Sequence, residues 1–277
     1  MIIYIQVVIY NKSMTESQTL ISLVQQSVRL SEDIELKLNI HDNSRVSRLD
    51  NQIISSLNDF YDVNYKHTPE NKTLREIYND CIVKLDGHDI LLLLDDDTTL
   101  PPNYIEELLR YVKNYPDCLL FAPKVIVRGE LYSPYKSVSF ISRPLGNIKS
   151  GKIESFNHSF INSGLAIRGK FFIESRFSYP KGVDFYGTDT VFSHAFRNFS
   201  PTYVLMNLQL NHDVNNHPGN RDAYSYASAL SKVMKFWLGQ LNGVAKIAYV
   251  VFMIFYLAKM TIKFRSCAFI KMLIGLK

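Results

Sequence analysis

The sequence predicts a doubly wound, mainly parallel α/β domain followed by a basic, apolar helical tail. Three observations carry that expectation. Strand-like and helix-like periods alternate over the first 130 residues. The run Ile90–Leu94 is continuously apolar, as a strand covered on both faces is. Polar clusters close several of the expected strands, and in doubly wound sheets ligands sit beyond the carboxyl ends of strands. Tyr10-Asn11, Asp42-Asn43-Ser44 and Asp95-Asp96-Asp97 all fall at such ends.

The elements follow in order. Ile2–Tyr10 is a β-rich apolar run, with no basic leader region and no small-residue cleavage site, so it reads as a first strand. Ser13–Glu16 fits a capping box, and Leu20, Leu23, Val24 and Val28 continue at helical spacing. Ile34, Leu36, Leu38 and Ile40 alternate as a strand that ends at Asp42. Leu49, Ile53, Ile54 and Leu57 predict a second helix, and Val63–Lys66 a short strand. Leu74, Ile77, Tyr78, Cys81 and Ile82 mark a third helix. Pro101-Pro102 opens a helix carrying Ile105, Leu108, Leu109 and Val112, and Leu119–Val127 is the next strand. Residues 128–160 read as loops. Ser159–Phe172 is a strand running into a helix start, Phe185–Phe196 enters another helix, and Tyr203–Leu210 is a last strand before Asn211-His212-Asp213.

Composition narrows the class. The chain has 277 residues, 47% hydrophobic and 21% charged, which is enough for a large core. Its net charge is +5, yet residues 223–277 hold eight Lys and Arg and no acid, leaving about −3 for residues 1–222. The charge therefore belongs to the tail, and no nucleic-acid-binding face is expected. Cys81, Cys118 and Cys267 are far apart and lack metal spacing, as in a reduced cytosolic protein. No glycine-rich fingerprint follows the first strand and no Walker A motif occurs, so a dinucleotide or P-loop site is not expected.

The stretch Leu91–Leu100, LLLLDDDTTL, concentrates the chemistry. Carboxylates this close repel one another unless a cation or a solvated edge takes up their charge. One parsing, Asp95-x-Asp97-x-Thr99, fits the nucleophile loop of haloacid-dehalogenase phosphatases. Its position disfavours that: such loops follow the first strand, whereas α/β structure fills the preceding 90 residues, and Asp184 and Asp189 space poorly for the later acidic pair. A non-catalytic nucleotide- or saccharide-binding module is a further alternative.

The other parsing, LDDDT, resembles the Asp-x-Asp motif of glycosyltransferase family 2, the inverting nucleotide-sugar transferases of GT-A fold. VVIYNKS resembles that family's first strand and turn, DNS at Asp42–Ser44 its nucleoside site, and NKTLREIYN its Asn-x-Gly-x-x-x-Ala-x-Asn helix, with Thr73 in place of Gly. GTDT at Gly187–Thr190 is similar to its acidic base before a helix, and NHD to its metal-binding His after a strand. The resemblance covers residues 2–221.

It implies a residue set. Asp97 and His212 would ligate Mn²⁺ or Mg²⁺, hard ions that favour carboxylate oxygen. Asp95 would face ribose or metal-bound water, with Asp96 ambiguous. Asp42 would bind the base, or else cap the next helix; Tyr10 would flank the base, or else pack. Asn71 belongs to the donor site, Ser163 and Gly164 would line the donor sugar, and Arg221 would neutralise diphosphate. Asp189 would deprotonate the acceptor hydroxyl, with Asp184 as fallback. The expected partners are a nucleotide-diphosphate sugar and a saccharide or lipid-linked saccharide acceptor; a homo-oligomer is compatible with the sequence.

The expected division is a catalytic domain over 1–222 and a membrane-associating tail over 223–277. Ile247–Ala258 is apolar for twelve residues, short of the ~20 that span a bilayer. An acid-free, lysine-studded segment suits an anionic membrane surface, which predicts a peripheral protein on the inner face of the cell membrane. A span over Phe236–Ala258 and packing of the tail on the domain are the alternatives.

Overall fold

The computed structural model describes residues 1–27, 31–138, 141–212 and 223–274. Its centre is a ten-stranded sheet. Strand β1 (Ile2–Ile9) pairs in parallel with β2 (Glu35–Asp42) on one side and β4 (Ile90–Asp95) on the other, and β2 pairs with β3 (Asp62–His67) at the edge. The helices between them are α1 (Gln18–Val24), α2 (Asn51–Asn58) and α3 (Leu74–Ile82). This is the expected winding. The run Ile90–Leu94 is apolar throughout because its residues alternate between two cores: Ile90, Leu92 and Leu94 join Ile3, Ile5, Val7 and Ile9, while Leu91 and Leu93 join Tyr78, Phe171 and Phe192.

Beyond β4 the order departs from simple winding. A two-residue strand, β5 (Thr98–Thr99), leads to α4 (Tyr104–Asn114) and β6 (Leu120–Val127). Strand β12 (Leu165–Arg168) then lies antiparallel between β4 and β6, and β13 (Thr202–His212) runs parallel to β6. Helices α5 (Gly169–Ser175) and α6 (Thr188–Phe199) follow β12.

Residues 128–160 are not the loops their composition predicts. They hold β7 (Glu130–Ser133) on β6, β10 (Gly151–Glu154) on β13, and a separate three-stranded sheet of β8 (Tyr135–Val138), β9 (Ile141–Pro144) and β11 (His158–Ser159). Each is two to four residues long, too short for a period-2 pattern to emerge; β7 and β9 form hairpins with the strands before them, while β10 and β11 are made by pairing with strands far along the chain.

Caps also moved. The Ser13–Glu16 box closes on a 3₁₀ turn (Met14–Glu16), and α1 is capped by Ser17, whose hydroxyl accepts from Leu20 N–H. Helix α2 is capped by Asp50, not Asp42.

The tail forms α7 (Ala223–Gln240), α8 (Gly243–Phe264) and α9 (Ala268–Ile274) around a third core that includes Trp237, Met253 and Phe269. Helix α8 has 22 residues and is long and apolar enough, by length and composition, to cross a membrane. The twelve-residue estimate was too short because a helix absorbs Lys246, Lys259 and Lys263 into its turns. The span drawn over Phe236–Ala258 is broken, since α7 ends at Gln240 and α8 starts at Gly243.

Candidate active site

The acidic turn sits at the carboxyl end of β4, and three later segments are brought to it. Pairing of β5 with β13 sets Thr98 opposite His212 and Thr99 opposite Asn211. A ligand atom from each of Asp95, Asp97 and His212 then lies within 4.8 Å of the others. His212 Nδ1 is 3.3 Å from Asp97 Oδ1 and 2.9 Å from Thr98 Oγ1. Beneath the turn, Ser163 Oγ bonds Thr98 Oγ1 and accepts from Asp95 N–H at 3.3 Å. Thr19 Oγ1 donates to the Asp95 and Thr98 carbonyls. The turn is thus held by Ser163 and Thr19.

The electrostatics ask for a cation. Burial, with the negative charges of Asp97, Asp96 and Asp189, pushes the Asp95 carboxyl up to about 7. Asp97 Oδ1 is buried and, beyond the His212 ring at 3.3 Å, has no hydrogen-bond partner among the described residues, an arrangement that an ion would complete. Two carboxylates and an imidazole at this spacing fit a divalent cation, and Thr98 beside Nδ1 fixes the ring's orientation.

Asp189 stands at the first turn of α6, behind Gly187 in a left-handed conformation at φ 85°. Its carboxylate accepts from Thr190 N–H at 2.7 Å, and burial raises its pKa. It shapes the charge felt by Asp95 and lines a cavity of about 280 Å³ with Tyr132, Tyr135, Arg143 and Pro144. Asp184 is occupied elsewhere: the Lys232 ammonium at 2.6 Å and the Arg75 guanidinium at 3.6 Å hold its carboxyl below the usual range. That removes it as a fallback base.

The remaining expected residues divide. Tyr10, 55% exposed at the end of β1, is free to meet a planar ring. Asp96 is held by Lys12 at 3.4 Å. Asn71 occupies a left-handed turn at φ 56°, next to Lys72, whose carbonyl accepts from Asn43 Nδ2 at 2.7 Å. Asp42 is fully buried, and its oxygens accept from Ser44 N–H, Arg48 N–H and Tyr65 O–H at 2.9, 2.7 and 2.6 Å. It therefore builds the turn after β2 and does not cap α2. Ser163 and Gly164 are likewise buried, beneath the acidic turn. A Cβ at Gly164 would lie 2.4 Å from Leu210 Cδ1. Arg221 lies outside the described residues.

Other residues of the site carried little local signal. Asn79 clamps the Tyr179 main chain, accepting at 2.9 Å and donating at 3.0 Å, which ties α3 to the segment leading to Asp189. Asn162 donates to Thr188 Oγ1 at 2.8 Å. Asn79 closes the NKTLREIYN motif, but its partner, like that of Asn162, is given only by the fold.

A wound, mostly parallel sheet, with an acidic turn at the end of its fourth strand and a half-buried acid lining a cavity, has the architecture of the GT-A fold. The chain belongs to glycosyltransferase family 2, whose model matches residues 4–188. That membership overturns the phosphatase parsing, in keeping with an acidic turn that follows the fourth strand rather than the first. No curated protein sequence matches the chain. Similar solved structures include residues 1–349 of S. aureus TarS, at 12% identity, TM-score 0.60, 90% of this chain and 68% of that one. TarS 1–349 in complex with UDP-GlcNAc gives 11% identity, TM-score 0.58 and coverages of 90% and 69%. GalNAc-T7 with UDP, GalNAc and Mn²⁺ gives 12% identity, TM-score 0.60 and coverages of 86% and 47%. The chain spans 41% of a longer TarS structure.

Proposed function

We propose that the protein is an inverting transferase that moves a sugar from a nucleoside-diphosphate sugar to a hydroxyl of a saccharide acceptor. The observation that carries this reading is the juxtaposition of two unlike acids. The Asp95–Asp97–His212 group is arranged for a cation, while Asp189 lies close enough to affect Asp95 yet opens onto a separate cavity. In this reading Asp97 and His212, with Asp95 beside them, hold Mn²⁺ or Mg²⁺, which when bound offsets charge developing on the leaving diphosphate. Tyr10 flanks the base, and Asp189 takes the acceptor's proton. The raised pKa of Asp189 suits that task, because a stronger base accepts the proton more readily.

The acceptor is a lipid-linked saccharide of surface-polysaccharide synthesis, and the tail rests on the anionic inner face of the cell membrane. What supports this is the outer face of α8, where Val244, Ile247, Val251, Phe255 and Ile262 are exposed in an acid-free, basic segment.

The test incubates the full chain with a panel of UDP- and GDP-sugars and Mn²⁺, scoring free nucleoside diphosphate. Wild-type protein should release it from at least one donor, and Asp97→Asn should not. Release of nothing from the panel, or an Asp97→Asn variant as active as wild type at limiting Mn²⁺, would overturn the proposal.

A further inference from the structure

Helix α7, placed by sequence outside the catalytic domain, leans on the turn that presents Asp189. Lys232 Nζ is 2.6 Å from Asp184 Oδ2, with both side chains partly buried at 36% and 25% exposure. One turn position on, Val233 meets Gly187, where a Cβ would sit 2.7 Å from Val233 Cγ2. Deeper along α6, the His194 ring packs edge-on against Phe236 and Trp237, with centroids at 5.8 and 5.5 Å.

The opposite side of the same turn is held by α3. Arg75 N–H donates to the Asp184 carbonyl at 3.1 Å, its guanidinium approaches the carboxylate at 3.6 Å, and Asn79 grips Tyr179. The segment from Tyr179 to Asp189 is therefore strung between two helices more than a hundred residues apart in sequence. Asp184 receives one cation from each.

We propose that α7 is part of the frame of the active site, and that Lys232 is a positioning residue for Asp189, acting through Asp184 and the turn ending at Gly187. The proposal rests on the reading of Asp189 as base and adds a cause for its position. A solvent-exposed ion pair stabilises a fold little. This pair instead fixes a geometry: the side of Gly187 where a Cβ would stand faces Val233 and Val183, and Asp189 follows it by two residues. Losing Lys232 leaves the Arg75 contact in place, so the turn stays folded but loses its strut on the α7 side. Since α7 continues into α8 across Leu241-Asn242, whatever seats α8 also seats this strut.

The experiment compares full-length wild type, Lys232→Ala and Lys232→Arg. Nucleoside diphosphate release is measured with the donor that the sugar-nucleotide panel identifies, and hydrogen exchange is followed for residues 180–192. Misplacement of a reacting group by about 1 Å costs up to roughly a hundredfold. Lys232→Ala should lower kcat about tenfold with donor KM within about twofold, and should speed exchange in that segment. Lys232→Arg should recover most of both. Unchanged kcat and exchange in Lys232→Ala would overturn the proposal, and so would a loss of kcat that Lys232→Arg does not rescue. If wild type releases nothing from any donor, the transferase reading fails instead, and hydrogen exchange alone decides whether Lys232 holds the turn.

Discussion

Asp95 makes the stability of this protein depend on pH in a direction unusual for a carboxylate. Its pKa rises from 3.8 to about 7 in the fold, so between those values the folded chain holds more protons than the unfolded one. By linkage, stability then falls as pH rises through that window; the cost is absent below about 4 and complete above about 7. The shift sets a ceiling of about 4 kcal/mol, at ~1.4 kcal/mol per tenfold. Partial exposure and coupling to the neighbouring acids reduce this to about 2 kcal/mol. For a chain of this size that is roughly 5 °C in Tm. Thermal melts in chelator at pH 5 and pH 8 should show the loss in wild type and a smaller one in Asp95→Asn, which cannot ionise. Mn²⁺ should reverse the trend, because its ligands bind deprotonated and its stabilisation grows with pH. Parallel pH profiles for wild type and Asp95→Asn in chelator would refute the reasoning.

Three other outcomes are expected. Asp189→Asn should cut transfer by at least about a hundredfold with donor affinity nearly unchanged, as calorimetry with the donor would show; loss of donor binding would make Asp189 a structural cap. Gly164→Ala should destabilise the fold by about 1–3 kcal/mol in urea melts, since φ is +83° and its Cβ would overlap Leu210 and Pro123. Sedimentation with liposomes should rise with anionic lipid content and fall with salt, at about 1 kcal/mol per basic group near the surface; binding indifferent to both would mark α8 as a hydrophobic span.

Much of the first half of the fold was legible, and for a definite reason. Its strands are long and its helices amphipathic, so Ile90–Leu94 and Leu74–Ile82 announce themselves by composition and period. The acidic turn was legible because three adjacent carboxylates are costly anywhere else. The burial of Asp42 and Ser163 was not legible, because polar residues at strand ends build turns as readily as they meet solvent, and only the fold shows which they do. Strands β8 to β11 and the hold of Lys232 on Asp184 gave no local sign. Strands β8 and β9 are too short to show a period, β10 and β11 exist through partners tens of residues away, and Lys232 meets Asp184 across forty-eight.

The antiparallel insertion of β12 between β4 and β6 has a consequence for the order of assembly. During synthesis β4 emerges more than sixty residues before the strand that covers its flank, leaving an apolar edge of unpaired amides and carbonyls. Local pairing of β1, β2 and β3 needs no such wait. The acidic turn waits longer still, for Ser163 to rise beneath it and for His212 to arrive on β13. A nascent chain halted near residue 127 would thus carry a finished-looking half-sheet with a sticky margin and no active site. Closing loops of this length is slow, so this protein is most exposed to aggregation during the interval between making β4 and making β12.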